Sequence, residues 1–124
     1  MSAEYQILAL RPFVPARDFD LSKRFYTAMG FTINHADAEV AIFESGRFGF
    51  ILQNFYVREL ADNFMLQLLV TDVDSWWRNI GPEHFVAEFG TSQPTAPVLQ
   101  SWGMKVGFLT DPTGVLWHIA EAPR

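Results

Sequence analysis

The chain has 124 residues, of which 49% are hydrophobic, and it carries no cysteine and a formal net charge of −5. That length suits one domain with a real core, and the lack of cysteine excludes disulfides, thiolate metal sites and cysteine nucleophiles. The acidic balance argues against nucleic acids and anionic membranes as partners, because both select basic patches. No apolar run approaches the roughly 18 residues of a membrane span, and no signal-peptide pattern opens the chain, so we expect a cytoplasmic protein.

The first half of the chain predicts a strand, a helix and three further strands. The helix lies in 18–31 (DFDLSKRFYTAMGF), where apolar residues recur every four positions. Asp18 or Asp20 is the predicted N-cap, and Gly30 marks the predicted end. The predicted strands lie at 5–14, 31–36, 40–45 and 48–54.

The second half repeats this order. A strand is followed by an Asp-x-Asp start at Asp72 and a short aromatic helix in 71–81. The repeat indicates two βαβββ modules, at about 5–56 and about 62–122, and the Pro-rich stretch 91–100 is predicted to be an irregular loop. The strand positions of this half are 64–70, 84–89, 104–110 and 115–121.

Two motifs resemble a known superfamily. Asp-x-x-x-Ser-x-x-Phe-Tyr-x-x-x-Gly-Phe occupies 18–31, and Asp-Pro-x-Gly-x-x-Trp occupies 111–117. In this order around a duplicated module they resemble the glyoxalase/bleomycin resistance protein/extradiol dioxygenase superfamily, also called vicinal oxygen chelate proteins. The resemblance covers about residues 7 to 121 and implies an α+β fold in a single domain, 1–124. In that fold two βαβββ modules form a curled mixed sheet around a cavity, with one helix per module packed outside, commonly in a homodimer.

The resemblance also implies where a metal would bind. Metal enzymes of this superfamily place ligands, mostly His and Glu, in the first and last strands of each module. Those positions fall on Arg11, Gln53, Met65 and His118, with Gln67 replacing Met65 if the register shifts by two. A guanidinium has no lone pair to donate, a thioether is too soft for Mg, Mn, Fe(II) or Zn, and an amide is a weak ligand. We therefore expect no metal and no other cofactor.

The same positions predict a ligand-binding pocket instead. Arg11, Gln53, Gln67 and His118 share strand faces with aliphatic neighbours, which suits a mostly apolar pocket with a few orienting polar groups. Rings predicted at the cavity edge, because they lie at strand ends and loop junctions, are Phe43, Phe55, Tyr56 and Trp102.

Each polar position has a second interpretation. Arg11 either anchors an anionic group or pairs with a structural acid such as Glu39 or Glu44. His118 is either a pocket residue or a core histidine with a satisfied hydrogen bond. Gln53 and Gln67 either face the ligand or bond each other across the sheet.

We therefore expect a metal-free protein that binds or sequesters a small, partly apolar or aromatic molecule, similar to bleomycin-resistance-type proteins. Capture is favoured over catalysis. The alternative is a metal-dependent glyoxalase- or dioxygenase-type enzyme with a degenerate site that uses His118 as base or as a single strong ligand. A third class is a structural or regulatory dimer whose own side chains fill the cavity. The expected partners are the small molecule and a second copy of the chain, with no nucleic acid and no membrane.

Overall fold

The computed structural model describes residues 5–123. Each half of the chain contributes one strand, a helix and three further strands. The first half contains β1 (Phe13–Pro15), α1 (Phe19–Ala28), β2 (Thr32–Ala36), β3 (Val40–Ser45) and β4 (Phe48–Gln53). A short connecting helix, α2 (Arg58–Asn63), precedes the second half. That half contains β5 (Met65–Val70), α3 (Val73–Ile80), a 3-10 turn (Pro82–His84), α4 (Phe85–Phe89), β6 (Thr95–Leu99), β7 (Lys105–Thr110) and β8 (Leu116–Glu121).

The two halves have the same topology. Sheet A has the strand order β1-β4-β3-β2 and sheet B the order β5-β8-β7-β6. In both sheets the first strand of the module pairs in parallel with the last, and the other pairs are antiparallel. The predicted α+β fold of two βαβββ modules is therefore confirmed. No helix within residues 5–123 has the length and apolar character needed to cross a membrane.

Three predicted elements were wrong. The strand predicted at 5–14 is reduced to β1, and residues 5–12, which we call the arm, form no strand. The segment predicted as a strand at 84–89 is helical, because Phe85 and Phe89 are four residues apart and both pack against Phe25.

The third error concerns the segment predicted to be irregular, which contains β6. Pro97 suggested a loop, but β6 is the outermost strand of sheet B, and an edge strand tolerates proline. Its pairing with β7 is irregular between Thr95 and Val98, so proline and a register shift occur in the same short strand.

The two long helices begin where the Asp-x-Asp pairs predict. The Asp18 carboxylate accepts a hydrogen bond from the Leu21 N–H, and the Asp72 carboxylate accepts one from the Ser75 N–H, each at 3.1 Å. These aspartates cap backbone donors that the first helical turn leaves unpaired. Helix capping therefore accounts for Asp18 and Asp72, as predicted from the sequence.

The core lies between the two modules and is rich in aromatic rings. Tyr26 of α1 is fully buried, and its ring centroid lies 4.7 Å from that of Phe50 in sheet A and 5.7 Å from that of Trp117 in sheet B. Trp77 of α3 covers sheet B at Gly107, where an added Cβ would lie 2.5 Å from the indole. The helices therefore pack on one face of each sheet, and the opposite face remains available.

We call those opposite faces the open faces of sheets A and B. Alternation along the strands separates them from the buried core faces. The open face of sheet A carries Phe13, Val40, Ile42, Glu44, Ile51 and Gln53. The open face of sheet B carries Met65, Gln67, Leu69, Val106, Phe108, Thr110, Leu116, His118 and Ala120.

The turn between β2 and β3 is organised by one carboxylate. Asp37 accepts hydrogen bonds from the N–H groups of Val40 (2.9 Å) and Glu39 (2.8 Å) and from the His35 ring (3.0 Å). These bonds lower the pKa of Asp37 to about 2. Because the folded-state pKa lies below the ordinary value of 3.8, the stability contributed by Asp37 is complete above that value. It is lost as the pH falls through about 2.

We expect carbon-detected NMR to give Asp37 a pKa about one to two units below that of an unstructured aspartate. The reference is the ordinary aspartate pKa of 3.8. A measured pKa of Asp37 at or above that value would show that the three hydrogen bonds do not stabilise its carboxylate.

Candidate functional site

The open face of sheet A has a charged end and an apolar centre. Phe13 pairs with Ile51, which pairs with Ile42, so three apolar side chains cross the sheet side by side. Two residues further along β3, the Glu44 carboxylate accepts a hydrogen bond from the Arg11 guanidinium at 2.7 Å. Phe13 is 53% exposed, so the apolar centre is accessible to a ligand.

Arg11 makes the ion pair that one of its two interpretations predicts. In the free chain Arg11 pairs with a structural acid, and the acid is Glu44. The two side chains remain 29% and 27% exposed, so neither is sealed into the core. Arg11 therefore contributes no unpaired positive charge to the open face.

The open face of sheet B carries a polar and aromatic row across three strands. Gln67 pairs with His118, and His118 pairs with Phe108. The Phe108 and His118 rings meet edge to face, with centroids 4.7 Å apart at 81°. The neighbouring residues are mostly aliphatic, and Met65 and Leu69 are 57% and 52% exposed. This row combines apolar area with hydrogen-bonding groups.

In the described chain, the polar side chains of this row keep their hydrogen-bonding capacity. Within residues 5–123, neither the His118 ring nor the Gln67 amide makes a side-chain hydrogen bond, and His118 is half-buried. The interpretation of His118 as a core histidine with a satisfied hydrogen bond is therefore wrong. Gln53 and Gln67 belong to different sheets and share no hydrogen bond in the described chain, so their pairing is also wrong.

The predicted edge rings fall into two groups. Phe43 is fully buried and stacks on Phe50 with centroids 5.4 Å apart, so its placement at the edge of a cavity was wrong. Its strand parity matches Ala41 of the core rather than Glu44 of the open face. The remaining rings lie at the surface: Phe55 is 47% exposed, Tyr56 lies 5.7 Å from the Arg17 guanidinium, and Trp102 is 59% exposed.

Phe108 is the site residue that sequence reasoning missed. Its partner is set by the β7–β8 hairpin, in which Thr110 pairs with Leu116 and Phe108 therefore pairs with His118. Counting outward from the Asp-Pro-Thr-Gly turn would instead place Phe108 opposite Trp117, because five residues, and not four, separate Thr110 from Leu116. The pairing with His118 therefore depends on the observed hairpin register in addition to the alternation along one strand.

The two open faces belong to separate sheets. No hydrogen bond, ion pair or ring contact recorded for residues 5–123 joins Arg11 or Gln53 to Gln67 or His118. Several clefts indent the described surface, and five of the best-formed are lined by residues other than Gln53, Gln67 and His118. Each sheet therefore presents its own half of the predicted site.

The donors of the site fit a small molecule better than a metal ion. In the part of the chain from 5 to 123, no three His, Asp or Glu side chains are grouped so that they would hold a metal. Of the four positions considered for ligands, only His118 offers a strong metal donor, and its neighbours are an amide and an aromatic ring.

Comparison with known proteins adds independent evidence. No family model matches the sequence. The chain is 30% identical over 119 residues to a bleomycin resistance protein of Klebsiella pneumoniae, an alignment that covers 89% of each chain.

Two solved structures share the fold. The crystal structure of a bleomycin-binding protein complexed with bleomycin is 27% identical, with a TM-score of 0.73 over 92% of this chain and 98% of that one. A lactoylglutathione lyase from Agrobacterium tumefaciens is 16% identical, with a TM-score of 0.66 over 94% of this chain and 96% of that one, so the likeness is one of fold alone. With its duplicated βαβββ modules, the chain belongs to the bleomycin resistance protein family, within the glyoxalase/bleomycin resistance protein/extradiol dioxygenase superfamily of vicinal oxygen chelate proteins.

Proposed function

We propose that this protein captures a small, partly apolar or aromatic molecule on its open faces and thereby keeps it from its target. The observation that carries the proposal is the row of Gln67, His118 and Phe108. It offers a ring edge, aliphatic neighbours and hydrogen-bonding groups that the described chain leaves unused. Such a surface gives affinity through apolar contact and orientation through a few polar groups.

The relatives support bleomycin as the first ligand to test. One relative is named for resistance to bleomycin, and another was crystallised with it. The net charge of −5 favours a cationic molecule by long-range attraction. Arg11 does not oppose such a ligand strongly, because Glu44 balances its charge.

The proposal includes a homodimer. The arm exposes four large apolar side chains, with Tyr5, Ile7, Leu8 and Leu10 between 77% and 92% exposed. Four exposed apolar side chains in one short segment suit insertion against another surface. A second copy that covers the arm would also bring an open face of sheet A against an open face of sheet B, completing a site that one chain leaves divided.

Native mass spectrometry of the purified protein with bleomycin tests this proposal. We expect a dimer that retains bleomycin, and expression of the protein should raise the bleomycin concentration that bacteria survive. Neither retention nor protection would contradict the capture function. A tightly held, stoichiometric metal that is lost in His118→Ala would instead favour an enzyme of the glyoxalase or dioxygenase type.

Replacing site residues should weaken capture without unfolding the protein. We expect Phe108→Leu and His118→Ala each to weaken bleomycin binding about tenfold in calorimetric titration, since each removes a central contact worth about 1–2 kcal/mol. His84→Ala is the matched control, because His84 is exposed and lies outside both open faces. Equal affinities for His118→Ala and His84→Ala would place the ligand elsewhere.

A further inference from the structure

The ion pair on sheet A controls more than local stability. Arg11 and Glu44 come from distant parts of the chain and meet at 2.7 Å at the end of the apolar centre formed by Phe13, Ile42 and Ile51. We infer that Arg11 masks Glu44, so that this end of the site selects ligand groups that are uncharged, and that removing either partner converts it into a charge-specific subsite. The inference rests on the proposed capture function.

The sheet is built so that the two side chains can meet. Phe13 pairs with Ile51 in the parallel register. Two residues before each of them, Arg11 lies opposite Gly49, and Gly49 in turn pairs with Glu44 of β3. Gly49 has no side chain to stand between them. A Cβ there would lie 2.2 Å from the Phe43 carbonyl oxygen, so the backbone admits only glycine. The gap over Gly49 lets the guanidinium reach the carboxylate across a central strand.

The burial of the pair explains its selectivity. At 29% and 27% exposure the side chains remain reachable by a ligand, yet they are shielded more than a surface pair such as Arg58 with Asp62, at 79% and 53%. A cationic group at Glu44 meets the like charge of Arg11, and an anionic group at Arg11 meets the like charge of Glu44, because the two side chains lie 2.7 Å apart. The partner therefore opposes each approach, and full displacement of either side chain would also break a charge-assisted hydrogen bond. An uncharged ring over Phe13 and Ile51 incurs neither cost.

Three probes that share one ring test this inference: naphthylmethanol, naphthoate and naphthylmethylammonium. Their affinities are measured by calorimetry for the unmodified protein, Arg11→Gln, Glu44→Gln and the double variant. We expect the unmodified protein to bind the alcohol best. Arg11→Gln should raise the ammonium-to-alcohol affinity ratio at least about tenfold, and Glu44→Gln should do the same for naphthoate, because each frees a charge for one strong hydrogen bond. The double variant should return to the preference of the unmodified protein.

The comparison of ratios separates selectivity from structural damage. A general loosening of the site weakens all three probes together and leaves the ratios unchanged, whereas unmasking moves them in opposite directions in the two single variants. Arg58→Gln is the matched control, since it makes the same change in net charge at an exposed pair of α2. Unchanged ratios in Arg11→Gln and Glu44→Gln would overturn the inference, as would failure of the unmodified protein to bind naphthylmethanol. In either case, retained bleomycin binding would leave the capture function intact, whereas loss of bleomycin binding as well would mean that the capture function itself is wrong.

Discussion

Replacing Asp111 by alanine is expected to lower the free energy of unfolding by about 3–6 kcal/mol, a large part of the total for a domain of this size. Asp111 is 2% exposed and accepts three hydrogen bonds. They come from the Tyr26 hydroxyl at 2.6 Å and from the N–H groups of Thr113 and Val115 at 2.8 and 2.9 Å. The substitution leaves three buried donors without an acceptor, and a cost of about 1–2 kcal/mol for each gives the expected total.

The effect extends across both modules. Tyr26 belongs to α1 of the first module, whereas Asp111 and Trp117 belong to the last hairpin of the second. The Trp117 indole donates to the Tyr26 hydroxyl at 3.0 Å, and that hydroxyl donates to Asp111. Burial raises the pKa of Tyr26 well above its ordinary value, so the phenol keeps its proton and remains the donor. The chain of bonds therefore holds the two modules in one arrangement.

Thermal and urea unfolding provide the measurement. Asp111→Asn keeps one acceptor oxygen and should cost less than Asp111→Ala. Asp18→Ala is the control carboxylate, since it removes an exposed helix cap and should cost only about 1 kcal/mol. If Asp111→Ala and Asp18→Ala prove equally mild, the buried network does not hold the modules together.

Placing aspartates in the arm is expected to dissociate the proposed homodimer. Leu8 and Leu10 are 86% and 92% exposed in one chain, so the double variant Leu8→Asp/Leu10→Asp loses no core contact. If a second copy covers them, each leucine contributes about 1.5–3 kcal/mol, and the variant should weaken dimerisation at least about a hundredfold. Bleomycin binding should fall with it if, as proposed, the second copy brings the two open faces together.

Sedimentation equilibrium across a range of concentrations gives the dimer affinity, and circular dichroism verifies the fold. Gln6→Asp is the matched control for the single variant Leu8→Asp, because it adds the same charge in the same exposed segment without removing apolar area. An unmodified protein that is monomeric at all concentrations, or a double variant that still dimerises, would contradict the proposal.

The errors and successes of the sequence analysis have physical causes. The helices that follow Asp18 and Asp72 were predictable because capping is local and needs only three residues. The arm was predicted to be strand because its composition suits a strand, yet a strand exists only where a neighbour pairs with it. The partner of β1, β4, begins at Phe48, and most of the arm lies beyond that end.

The predictions for the site residues were right or wrong for the same physical reasons. Alternation along the strands correctly predicts the open faces for Gln53, Gln67 and His118. Phe43 was predicted at the cavity edge because it lies near a strand end, but the same alternation directs its side chain into the core. The sequence did not show whether Glu39 or Glu44 pairs with Arg11, because a contact from the arm across β4 to β3 depends on the register of all three segments. Phe108 was missed for the same reason.

By itself the sequence determined the local features of this protein: its helix caps, the faces of its strands and the duplication of its modules. These depend on residue chemistry and on spacings of a few residues. Only the tertiary structure decided which faces are buried against the helices and that Glu44 pairs with Arg11 over Gly49. It also showed that Gln53 lies in one sheet and that Gln67 and His118 lie in the other. Those features arise where distant segments meet, and their free energy depends on contacts that no short stretch of sequence contains.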